Sequence, residues 1–227
     1  GNVEATPPES YQLGAGDKLT LRVASSTLDP VESKLTVDNL GYITIPQSGR
    51  KIVVVGQTLA SAEKQVSESI QGYVRNAQVS LRLDELRTFT VTILGESYAP
   101  GAYQVPATFT LFNLILATGG PSDRGSLRTI QLRRNNLPMK TFDLYRFLIL
   151  GDAKQDTPLQ PGDVVFFTVQ RGQVEVSGEV NRPASYELKG GEELSTVLSF
   201  AGGIRPSGVV QNVAIDSVVP GFQRKLL

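Results

Sequence analysis

Glu96 and Glu179 each follow a glycine, and two acids in matched settings are the pair that glycosidic-bond hydrolysis would need. That mechanism requires carboxyls about 5 to 9.5 Å apart. The two belong instead to separate copies of one repeated stretch, "VTILGESYAPGAYQV" from Val91 and "VEVSGEVNRPASYEL" from Val174. Duplication alone accounts for their recurrence. A role in a turn or in inter-unit hydrogen bonding is expected for both, and catalysis is not. The chain has no His and no Cys, which removes Ser-His and Cys-His pairs, thiolate nucleophiles and zinc sites built on imidazole or sulfur. Asp84, Glu85, Asp143 and Asp152 lack the spacing of a calcium loop. No catalytic residue, no metal and no cofactor are expected.

Other residues admit a chemical and a structural reading. Gly14, Gly16 and Asp17 could open a glycine-rich phosphate cradle, but no GxxxxGK[ST] is present and a strand pattern follows where a helix would be needed. A structural turn is expected. Gly162 and Asp163 in "QPGD" stand likewise before an apolar strand. Tyr103 and Tyr186 offer faces that could stack on a pyranose, against half-buried packing with the hydroxyl satisfied, which is the preferred reading. Arg124, Arg128, Arg133 and Arg134 are candidates for contact with acidic saccharide or a neighbouring subunit, against a solvated face. Glu192 and Glu193 open a short helix, where negative charge complements the dipole.

Lys+Arg and Asp+Glu both number 22, so no basic patch announces a nucleic-acid partner. The longest apolar runs, such as Phe112 to Ala117, fall far below the roughly 20 residues of a membrane-spanning helix. Zero Cys suits the cytosol as well as a periplasm where no disulfide is needed. Residues 1–10 read as a remnant of expression followed by a polar linker, so the native N-terminus is expected to lie outside this chain.

The elements that must position these residues begin with "KLTLRV", where Leu19, Leu21 and Val23 alternate with polar neighbours as in a half-buried strand. Residues 34–56 give three short runs separated by Asp38-Asn39, Gly41 and Ser48-Gly49, predicting an antiparallel meander. Leu59, Ala62, Val66, Ile70 and Tyr73 recur at helical spacing after Thr58, a candidate N-cap, with Glu63, Lys64 and Glu68 on the other face. "AQVSLRLDE" returns to strand alternation.

The repeat then takes over at a constant offset of 83 residues. Gly95 matches Gly178, Pro100 matches Pro183, Tyr103 matches Tyr186, Gly119 and Gly120 match Gly202 and Gly203, and Gly125 matches Gly208. Each copy reads as strand, proline turn, strand, short helix and a Gly-Gly stop with a left-handed C-cap. The first copy continues through "DVVFFTV"; the second stops at the counterpart of Leu144, so its last strand is expected from a further segment or another chain.

Taken together, "YQLGAGDKLTLRV", "GYITIPQSG", "VVVGQTLASAE", "VSLRL", both "GE…P…Y" openings, the "TGG" and "AGG" stops and "PLQPGDVVF" resemble the outer-membrane polysaccharide export family of Wza type. The resemblance implies an α+β chain: a small β-rich polysaccharide export domain with one packed helix at 11–88, then two tandem β-grasp (SLBB) units at 89–171 and 172–227, the second truncated. It further implies a homo-oligomeric ring at the periplasmic face of the outer membrane, lipid-anchored in the native protein, that passes capsule or exopolysaccharide and docks on an inner-membrane polysaccharide co-polymerase. Family members carry a lipidated N-terminal cysteine and a membrane-contacting C-terminal part, neither of which is in this sequence. A polar lumen with weak contacts suits transport, so no deep high-affinity pocket is expected. The rival reading is a monomeric β-grasp ligand-binding or adaptor protein of the cell envelope.

Overall fold

The computed structural model describes residues 7–26, 28–46, 48–135, 137–206, 214–215 and 225–226. The expectations for residues 1–6 and for Gly208 lie outside them. Three clusters of buried side chains organise the described chain.

The first cluster is built on β1 (Lys18–Ser25), β2 (Leu28–Thr36), β3 (Tyr42–Thr44), β4 (Lys51–Val53), α1 (Leu59–Gln71) and β5 (Gln78–Glu85). β1 lies between β2 and β5, antiparallel to both. The expected meander is corrected here: β3 pairs with β4 in a separate hairpin, and β2 joins β1. The turn after β2 explains the break. The Asp38 carboxylate accepts from the backbone N–H of Leu40 and Tyr42, both at 2.9 Å, and Gly41 takes a φ of 84°, which turns the chain out of the sheet. β2 also starts well before the alternation that begins at Lys34, and it tolerates Pro30 because it is an edge strand.

In α1, Thr58 caps the Ser61 N–H, and Ala62, Val66 and Ile70 bury the predicted face. Each of the larger two contributes about 1.5–3 kcal/mol on burial. Two expectations for this helix change. Tyr73 lies beyond the helix end and is 47% exposed. Glu63, expected on the outer face, accepts from the Leu81 N–H at 2.8 Å and so caps a donor on β5, an edge strand.

The first repeat comprises β6 (Thr88–Gly95), β7 (Gly101–Pro106), α2 (Leu111–Ala117), β8 (Gly125–Arg133), β9 (Lys140–Phe142), α3 (Leu144–Leu148) and β10 (Val164–Val169). Its sheet runs β7-β6-β10-β8-β9, with β10 parallel to β6 and antiparallel to β8. One face carries Val91, Ile93, Ile130, Leu132, Val165 and Phe167 into a core shared with Leu111, Leu114 and Ile115 of α2. A capping box between Thr110 and Asn113 starts that helix.

The second repeat comprises β11 (Gly172–Val176), β12 (Ala184–Leu188) and α4 (Leu194–Phe200), with the two-residue strands β13 (Ala214–Ile215) and β14 (Lys225–Leu226) paired to each other. Its cluster holds Val180, Tyr186, Phe200 and Ala201, together with Tyr145 from α3 of the first repeat. The second core is therefore completed by the first unit.

Candidate functional site

The repeated turn is the same in both copies at the level of single hydrogen bonds. Val91 pairs with Tyr103 and Val174 with Tyr186. The Tyr103 hydroxyl donates to the Ala99 carbonyl at 2.7 Å, and the Tyr186 hydroxyl donates to the Arg182 carbonyl at 2.6 Å. The Glu96 carbonyl accepts from the Ser122 N–H at 2.8 Å; the Glu179 carbonyl accepts from the Arg205 N–H at 3.0 Å. Gly95, Gly119 and Gly120 take φ of 83°, 79° and 74°, and Gly178, Gly202 and Gly203 take 90°, 76° and 78°. Each proline, Pro100 or Pro183, stands in the loop before the tyrosine strand. The side chains diverge. Glu96 accepts from Ser122 and faces Arg124 at 3.4 Å within its own unit, whereas Glu179 is exposed.

Two turns ending in Gly-Asp share a second design. In the first, the Asp17 carboxylate accepts from the Gly14 N–H at 2.8 Å, and Gly16 has a φ of 96°. In the other, Asp163 accepts from the Gln160 N–H at 2.8 Å, and Gly162 has a φ of 80°. The backbone cradle that a phosphate would need is filled by the turn's own carboxylate. Each buried acid is matched by an arginine. Arg87 reaches Asp17 at 2.9 Å and the Tyr11 hydroxyl at 2.5 Å, while its backbone N–H donates to Asp17 at 2.7 Å. Arg134 grips Asp163 through two bonds of 2.8 Å, a bidentate pair that raises its own pKa. Burial, reinforced by Asp17, pushes the Tyr11 phenol well above its ordinary value of 10.0. Arg87 and Tyr11 were not singled out by sequence.

The densest polar cluster joins the two repeats. Glu187 of β12 is 3% exposed and accepts from the Ser126 hydroxyl at 2.5 Å and the Leu127 N–H at 2.7 Å. Arg128 of β8 is 6% exposed, so it presents no surface that a saccharide could reach. Its guanidinium bonds Glu192 at 2.6 Å and the Glu187 carbonyl at 3.1 Å, faces Asp143 at 3.4 Å, and lies over the rings of Tyr145 and Phe200. Lys189 adds a second cation at 2.7 Å from Asp143. The Tyr145 hydroxyl accepts from the Glu187 N–H at 2.9 Å, and burial raises its pKa.

Glu192, expected to serve its helix dipole, is thus a junction residue. Burial pushes its carboxyl up, but the Lys189 N–H, Arg128 and the Gly190 N–H together hold it below 4.5. Glu193 occupies the N-cap without a side-chain cap bond. Glu187 and Tyr145 also went unmarked in the sequence, although a signal existed. At the 83-residue offset the first copy has Gln104 and Phe109 where the second has Glu187 and Glu192, so acids appear where the repeat departs from itself.

The remaining arginines divide by exposure. Arg124 is 83% exposed and pairs with Glu96. Arg133 projects from the outer face of the sheet over the Phe166 ring. Among the described residues, no group of three or more acids, His or Cys is placed to hold a metal.

A β-rich unit carrying one helix, followed by two copies of a sheet-and-helix module locked by a buried ion cluster, defines a modular assembly of tandem β-grasp units. Residues 5–84 match the family described as polysaccharide biosynthesis/export protein, and residues 90–143 and 173–221 match the SLBB domain. The chain belongs to the Wza-type polysaccharide export family. It is 28% identical over 204 residues to the EPS I polysaccharide export outer membrane protein EpsA of Ralstonia nicotianae, covering 88% of this chain and 52% of the relative. It is also 26% identical over 182 residues to the polysialic acid transport protein KpsD of Escherichia coli, covering 79% of this chain and 32% of that protein. The chain therefore spans about half of one relative and a third of the other.

Proposed function

We propose that the chain is the periplasmic body of an outer-membrane polysaccharide exporter, a non-enzymatic module that assembles into homo-oligomeric rings through which capsule or exopolysaccharide passes. The single observation that carries this reading is the order of the modules, an export domain followed by two SLBB units over most of the chain. The names of EpsA and KpsD, an export outer membrane protein and a polysialic acid transporter, support the cargo class and the outer-membrane association. We take 11–88, 89–171 and 172–227 as the module limits. Lipid anchoring and docking on an inner-membrane co-polymerase belong to the same proposal and involve the rest of the full-length protein.

The Gly-Asp turns and the junction supply rigidity in this scheme, since a ring must hold its modules at fixed angles while polymer moves past them. Gly14, Gly16, Asp17, Gly162 and Asp163 serve as structural residues. So do Gly95, Glu96, Pro100, Tyr103, Gly119 and Gly120, with their counterparts in the second repeat.

The test is deletion of the gene for the full-length protein. Surface polysaccharide should disappear while polymer is still synthesised, and electron microscopy of the intact protein in membranes should show rings. Unimpaired secretion in the deletion strain would overturn the export reading. A full-length monomer with tight affinity for one saccharide would favour the adaptor reading instead.

A further inference from the structure

We infer that the solvent face of the five-stranded sheet in the first repeat is a contact face for acidic saccharide chains, with Arg133 as its cation and Phe166 as the ring that holds that cation in place. The inference deepens the export reading by assigning the cargo a place on this chain and a charge class.

The register fixes what shares that face. Val164 of β10 lies opposite Thr92 of β6 and Arg133 of β8, and Phe166 lies opposite Leu94 and Gln131. The alternate residues Val165, Phe167, Ile130 and Leu132 are buried on the other side. The outward set is therefore presented as a flat, twisted row about 13 Å long from Val164 to Thr168.

Its chemistry is one-signed. None of the five strands contains an Asp or Glu. Arg124, Arg128 and Arg134 are each matched to a carboxylate elsewhere, but Arg133 has no acidic partner among the described residues. It is held ready: its guanidinium carbon sits 4.7 Å from the Phe166 ring centre, and its Nη2 donates to the Gln131 side chain at 2.7 Å. Beside this pair an open depression of about 390 Å³ is lined by Thr129, Gln131, Thr141, Thr168 and Arg171. The Thr129 and Thr168 hydroxyls lie 2.6 Å apart and donate within the protein, to the Ser126 hydroxyl at 2.6 Å and the Thr129 carbonyl at 3.0 Å, so they are oriented with lone pairs left to accept.

A guanidinium held flat over an aromatic ring, beside hydroxyls and an amide, matches a sugar bearing carboxylates: the cation takes the acid, and the threonine hydroxyls accept hydrogen bonds from ring hydroxyls. Openness and solvation keep each contact weak. A polymer can then step along the face without being trapped.

The experiment titrates the full chain with a tetragalacturonate, with the neutral maltotetraose and with inorganic phosphate, following backbone amide shifts. Tetragalacturonate should bind with a millimolar Kd, move residues of β6, β8 and β10, and bind at least fivefold more tightly than maltotetraose at low salt, the advantage fading as salt is raised. R133Q should remove that advantage with the fold intact, and F166L, which frees the guanidinium, should weaken tetragalacturonate and leave maltotetraose as it was. Absence of shifts at tens of millimolar would overturn the inference, as would shifts confined to other surfaces, equal shifts with phosphate, or an R133Q protein that binds as before. Concentration-dependent self-association abolished by R133Q, without saccharide binding, would make the face a protein interface and overturn it too. Intact secretion after gene deletion, combined with binding here, would sink the export reading and leave the face standing; lost secretion without binding would do the reverse.

Discussion

Gly95 and Gly178 occupy one position of a duplicated turn, take nearly the same φ, and meet opposite surroundings. At Gly95 a side chain would collide with the Phe167 carbonyl of β10, which runs parallel to β6; at Gly178 nothing lies within 4 Å. The first repeat builds its core around a central β10. The second, among the described residues, pairs β11 with β12 alone and takes Tyr145 from its neighbour. Local residues write the turn twice, and only the packing around it decides what each copy depends on. The second unit depends on the first.

The largest effect should come from breaking that dependence inside the first repeat. Tyr145 packs edge-on against Tyr186 at 6.1 Å and Phe200 at 5.2 Å between ring centres. Tyr145→Ala removes a buried aromatic and should cost about 3–5 kcal/mol. Hydrogen exchange should speed most in β11, β12 and α4 while β6 and β10 keep their protection. Equal loosening of both repeats would erase the asymmetry.

Gly95→Ala and Gly178→Ala sharpen the same contrast. Both force a left-handed backbone on a residue with a Cβ, about 1–2 kcal/mol. Gly95→Ala adds overlap with a backbone that cannot swing aside, about 1–3 kcal/mol more. Urea unfolding should therefore rank Gly95→Ala well below Gly178→Ala in stability, and equal losses would mean that β10 yields or that β11 is covered as β6 is.

The extent to which this was legible in the sequence follows from the range of each interaction. α1 was readable because Thr58, Ala62, Val66 and Ile70 carry both cap and period within one segment. The repeat was readable because glycines at positive φ, a proline and a tyrosine recur at one offset. The partners of the buried acids were not, since Arg87 meets Asp17 across 70 positions and Glu187 meets Ser126 across 61, and no local period encodes such contacts. The sheet order failed for a related reason: Asp38 and Gly41 were recognised as a turn, but whether a turn continues a sheet or leaves it depends on the side-chain bonds the Asp makes. Arg133 and Arg128 looked alike in sequence because exposure is a property of the fold.

Where the copies agree, equal responses are expected. Tyr103→Phe and Tyr186→Phe each remove one hydroxyl bond to the carbonyl four residues earlier, for about 1 kcal/mol apiece. A difference much larger than that between them would show that the hydroxyl does more in one copy than close its turn.

The smallest and most selective effect is on acid. Glu192 at the junction is held below its ordinary 4.5 by the Lys189 N–H, Arg128 and the Gly190 N–H acting against burial. A carboxyl whose folded value is depressed contributes stability that is fully present above 4.5 and is lost as pH falls through the folded value. Below 4.5 the junction should therefore weaken, and exchange in β12 and α4 should accelerate. Asp38 and Asp84, also depressed, by the Tyr42 N–H and the Thr20 hydroxyl respectively, place a similar acid response in the leading domain, so the Glu192→Gln variant is the reference. Glu192→Gln should flatten the response of the second repeat alone. If β12 and α4 loosen with acid as much in that variant as in the parent, another group carries the response and Glu192 does not set the coupling between the copies.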